Sequence, residues 1–79
     1  MSEKTIEAMI ASPPERDELV VQLFVKDGGQ WGELFREEGN WLLELYPRVD
    51  GQAWRLNLEE ARYVMDLSLR ELRARLETS

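Results

Sequence analysis

The chain has 79 residues, 10 basic against 16 acidic side chains, and neither histidine nor cysteine. A domain this small buries only about 60% of the surface its unfolded chain exposes, and with no cysteine neither a disulfide nor a thiolate zinc site can reinforce it. The missing residue types exclude Ser-His and Cys-His catalysis, and the net charge of −6 opposes nucleic-acid binding, which depends on lysine and arginine displacing counterions.

The N-terminal stretch MSEKTIEAMIASPPERDE carries charges at Glu3, Lys4 and Glu7 and has no apolar run of signal-peptide length. Nowhere does the sequence approach the roughly 20 apolar residues of a membrane span, so a cytoplasmic protein without membrane contact is expected. Ile6, Met9 and Ile10 suit one or two helical turns, and TIEAMIA equally suits an extended arm. Pro13 and Pro14 then interrupt any helix. Residues 1–17 are therefore expected to be an arm and linker, with 18–79 as the single domain.

Leu19–Val25 reads as a strand, with Leu19, Val21, Leu23 and Val25 on an apolar face and Val20, Gln22 and Phe24 on a mixed one. Asp27-Gly28-Gly29 signals a turn. Gln30–Glu37 is the next strand, with Gly32 marking a bulge or a close approach. Glu38-Gly39-Asn40 turns again, Trp41–Tyr46 is a third strand closed by Pro47, and Ala53–Leu56 is expected as a short fourth strand after the Asp50-Gly51 turn. From Asn57 the period changes. Asn57 fits an N-cap and Glu60 completes a capping-box pattern, while Leu58, Ala61, Met65, Leu69, Leu72 and Leu76 fall in a stripe about 80° wide on a helix. The expected fold is α+β: an antiparallel meander of three to four strands with one C-terminal amphipathic helix packed on one face.

Chemistry finds little purchase in this pattern. Adjacent carboxylates such as Glu37/Glu38 on a strand point to opposite faces, and Asp27–Gly32 offers glycines without the helix N-terminus and lysine of a phosphate loop. No enzyme activity, cofactor or metal ion is expected. Apolar surface, by contrast, is in surplus, because one helix covers one sheet face while the strands carry apolar or aromatic residues on both. The uncovered face is closed by the Ile6/Met9/Ile10 arm, is an interface, or is ordinary scattered apolar exposure. Phe24, Trp31, Tyr46 and Trp54 are the aromatic candidates for partner contact, with Glu33, Glu37 and Glu38 as an acidic rim. Tyr63 and Leu67, neighbours on the helix side away from the core stripe, form a second candidate patch.

The Gln30-Trp31 pair, the LLELYP run, the Asp50-Gly51 turn, Trp54 and the capped helix resemble small acidic bacterial proteins built as a β-meander plus one helix. Some of these look like the immunity proteins that accompany polymorphic toxins. The likeness spans about residues 18–76 and implies a protein that covers a basic partner; it assigns no individual residue. The expected function is a non-enzymatic protein-binding module of immunity or inhibitor type. The alternative is a structural or regulatory homodimer that buries its open sheet face.

Overall fold

A computed structural model describes residues 5–77. It contains β1 (Ile6–Ala11), β2 (Val20–Val25), β3 (Gly29–Glu37), β4 (Asn40–Leu45) and α1 (Leu58–Glu77). The strands form one antiparallel sheet in the order β1-β2-β3-β4, and α1 packs across β1 and β2. The molecule is therefore the expected α+β fold, with two differences in its parts. The segment Ile6–Ala11, expected as an arm, is an edge strand paired residue for residue with β2, from Ile6 opposite Val25 to Ala11 opposite Val20. Ala53–Leu56, expected as the fourth strand, belongs to no strand.

Pairing explains the first difference. As a strand, Ile6 and Ile10 share the helix-facing side with Val21 and Val25, and Met9 turns to the other side. The Glu60 carboxylate accepts hydrogen bonds from Thr5 N at 2.6 Å and Ile6 N at 3.0 Å. The carboxylate that the sequence assigns to the helix cap is thus engaged in holding the start of β1. Asn57 does cap the helix, its Oδ1 accepting from Glu60 N at 2.9 Å. Leu56 and Ala61, either side of the cap, both join the core.

That core lies between sheet and helix and is built from Ile6, Val21, Leu23, Trp31, Leu34, Ala61 and Leu72. Trp31 reaches it through a bulge. Leu23 pairs with Gly32 and the next residue, Phe24, with Gln30, so Trp31 is the extra residue of β3. A bulge lets two successive side chains lean to one side. Trp31 takes the core, and Gly32 leaves space that nothing larger fits: a Cβ there would lie 2.9 Å from the Glu44 carbonyl oxygen. The buried Trp31 indole N–H has no acceptor among the described residues, which costs about 1–3 kcal/mol. β3 and β4 are joined through Glu38 (φ 52°) and Gly39 (φ 82°), both at positive φ as a two-residue hairpin turn of type I′ requires.

Candidate interaction surface

The side of the sheet away from α1 is closed by the linker that precedes β2. Arg16 reaches over Phe35, its guanidinium 3.7 Å from the ring centre. Its Nη2 and Nε donate to Glu33 Oε1 at 2.7 and 3.1 Å, and Nη2 also donates to Glu44 Oε1 at 3.0 Å. The Tyr46 hydroxyl donates to Glu44 at 3.0 Å and to Glu33 at 3.4 Å. Burial, the Glu44 hydrogen bond and the two carboxylate charges push the Tyr46 phenol up to about 12. The hydrogen bond to Glu33 raises the Arg16 guanidinium still further. Beside this network Val20 and Phe35 are buried. Arg36 grips Glu18 through two hydrogen bonds and holds that carboxyl below its ordinary range.

These contacts locate the residues singled out from sequence. Trp31 and Glu33 are buried; Phe24, Tyr46 and Trp54 are half-buried; Glu37 and Glu38 are exposed. Glu33 therefore stands inside the sheet face, neutralised by Arg16, and not on a rim. The Trp54 indole donates to the Tyr46 carbonyl at 2.8 Å, and Arg48 lies over the Trp54 ring, 5.5 Å from its centre. This contact folds the segment after β4 back over the core, which is why it pairs with no strand. Trp41 likewise sits between Arg36 and Arg73, each 5.5 Å from the ring centre. Most of the aromatic residues are thus engaged within the molecule. Tyr63 and Leu67 are exposed on α1, and Leu67 borders a shallow apolar hollow with Ala8 and Ile10 of β1.

Exposed apolar side chains also lie at Met9, Val49 and Leu58, but three occur together on β4, where Leu42, Leu43 and Leu45 are 38, 41 and 66% exposed. Because α1 lies over β1 and β2, it leaves Leu43 and Leu45 open; Leu42 lies on the opposite side. β4 is also an edge. Tyr46 N donates to Trp31 O at 3.0 Å and the register runs from Gly32/Leu45 to Glu37/Asn40. Alternation then turns the main-chain groups of Trp41, Leu43 and Leu45 outward. β4 itself carries no lysine, proline or bulge to blunt that edge. The sequence shows these leucines only as surplus apolar residues, since which strand is an edge depends on the position of β1.

Among the described residues no cluster of His, Cys, Asp or Glu side chains could hold a metal ion, and no helix is long and apolar enough to cross a membrane. Comparison with family models, curated proteins and solved structures found no match.

Proposed function

We propose that the chain is a protein-binding module without catalysis of its own, and that it binds through the β4 edge. One observation carries this reading: an edge strand, paired among the described residues with β3 alone, whose outward main-chain groups lie between leucines exposed on both sides. Such an edge is a template for strand addition, in which main-chain hydrogen bonds supply affinity and flanking side chains supply selectivity. The test is association itself, measured by sedimentation of the purified chain and by capture on the immobilised chain, each repeated with Leu45→Lys. Binding through β4 is lost in the variant while its circular dichroism is unchanged. Binding that survives the substitution, or no associating protein at all, overturns the reading.

A second reading is supported by a different corner. The exposed acids Glu15, Asp17, Glu37 and Glu38 border one hollow beside Phe35, together with Arg16 and the Glu18–Arg36 pair, and the surplus of exposed acids favours a basic partner, as an inhibitor-type role requires. Reversing Glu37 and Glu38 to lysine would then weaken binding at low salt. Unchanged affinity for the partner would remove this corner from consideration.

A further inference from the structure

We infer that the occupant of the β4 edge is β4 of a second copy, paired antiparallel about a two-fold axis through Leu43. The inference rests on the β4-edge reading above and names the partner. The outward groups belong to Trp41, Leu43 and Leu45, and hydrogen-bonded antiparallel pairs form only between outward residues. A two-fold axis at Leu43 sets Leu43 opposite its own counterpart and Trp41 opposite the partner's Leu45. All three outward residues of each strand are then used. Moving the axis to Leu42 leaves Leu45 without a partner. Moving it to Glu44 sets that carboxylate against its twin, which is unfavourable for directly opposed like charges.

The Leu43-centred register instead sets Glu44, the only charged side chain of β4, opposite the partner's Leu42. Glu44 already has Arg16 and the Tyr46 hydroxyl as partners, so it needs no counter-charge from outside. On the helix side the pairing builds one apolar row across both chains from Trp41, Leu43 and Leu45 of each. The result is a closed dimer with a continuous eight-stranded sheet, an isologous contact in which the same patch serves both chains. β1, the other edge, differs because Glu60 already takes the N–H groups of Thr5 and Ile6 at its start.

The experiment is sedimentation equilibrium of the wild-type chain and of Leu43→Lys, Leu43→Glu and their equimolar mixture, with circular dichroism confirming that each variant is folded. The wild-type chain is expected to dimerise at micromolar concentration. Association should strengthen with added salt, because screening relieves the repulsion between two chains of net charge −6. Each single variant sets like charges on the axis and removes two leucines from the interface, weakening the dimer on the order of 100-fold. The mixture restores it as a heterodimer, since lysine then faces glutamate.

A wild-type chain that stays monomeric at millimolar concentration overturns self-pairing. If such a monomer still captures another protein and Leu45→Lys abolishes the capture, the β4-edge reading stands and only the second copy is wrong. A dimer indifferent to both Leu43 variants, or variants not restored by mixing, overturns the two-fold register.

Discussion

Removing the Arg16 guanidinium tests whether the far side of the sheet is closed by one linker residue. In Arg16→Met the guanidinium over the Phe35 ring gives way to a shorter apolar side chain, and the 2.7 Å contact to Glu33 and the 3.0 Å contact to Glu44 are lost. Glu33, whose side chain is 7% exposed, is left with the Tyr46 hydroxyl at 3.4 Å. Breaking a buried pair from one side costs about 3–5 kcal/mol. Because Arg16 itself is 20% exposed, solvent screening reduces this to about 2–3 kcal/mol. A chain of 79 residues has a total stability of about 4–12 kcal/mol, so the loss is a large share, equivalent to a melting point about 10–20 °C lower. Urea unfolding followed by tryptophan fluorescence measures it. Adding Glu33→Gln to the variant should recover more than half of the loss, because a neutral amide needs no counter-charge. A loss below about 0.5 kcal/mol, within the range of ordinary surface substitutions, would refute the claim that Arg16 closes this face.

Four further outcomes are expected. Gly32→Ala places a Cβ 2.9 Å from the Glu44 carbonyl oxygen, and prising β3 from β4 should cost about 1–3 kcal/mol in urea unfolding. Glu38→Asn keeps the turn at φ 52° with a residue suited to the left-handed region, so it should stabilise by about 0.5–1 kcal/mol and raise the melting temperature. Trp31→Phe deletes the unpartnered indole N–H, and this relief should hold the net loss to about 1 kcal/mol, against the 3–5 of a full aromatic truncation. The Tyr46 phenol is pushed up to about 12 from about 10 in an unfolded chain. The folded protein therefore keeps a proton that the unfolded chain releases, and stability falls as pH rises through that window. Absorbance titration of a Tyr63→Phe variant reads this phenol alone, and a phenolate forming at the ordinary value would contradict the burial described.

The elements legible in the sequence were those whose pattern is local. Leu19 to Val25 keeps Leu19, Val21, Leu23 and Val25 on one apolar face, and Asn57 at the point where the period changes marks a helix start that needs no tertiary information. β1 was not legible, because Ile6, Met9 and Ile10 fit a helical spacing as well as a strand. Pairing with β2 and the Glu60 carboxylate, 54 residues away from Ile6, decide between the two. Ala53–Leu56 has acceptable strand composition, but the Trp54 indole bonds the Tyr46 carbonyl and carries the segment over the core. Arg16 was unreadable for a related reason: a linker arginine has many carboxylates within reach along the chain, and only the fold selects Glu33. The direction of Trp31 depended on one extra residue, and a bulge of one residue reverses every later side chain.

The surplus of apolar residues is resolved differently on each boundary of the sheet. On one side α1 covers β1 and β2 and reaches β4 through Arg73 over Trp41. On the other side, burial of Val20 and Phe35 under Arg16 removes most of the open face that the alternation of β2 and β3 implied. An interface made of that face would have to displace an arginine from two carboxylates and an aromatic ring. An interface made of the β4 edge displaces only water: Leu43 and Leu45 are already exposed, and the outward groups of Trp41, Leu43 and Leu45 lie off the β3–β4 ladder. The cost of association is therefore lowest at the edge, which is why binding is proposed at β4 and not on the broad face of the sheet.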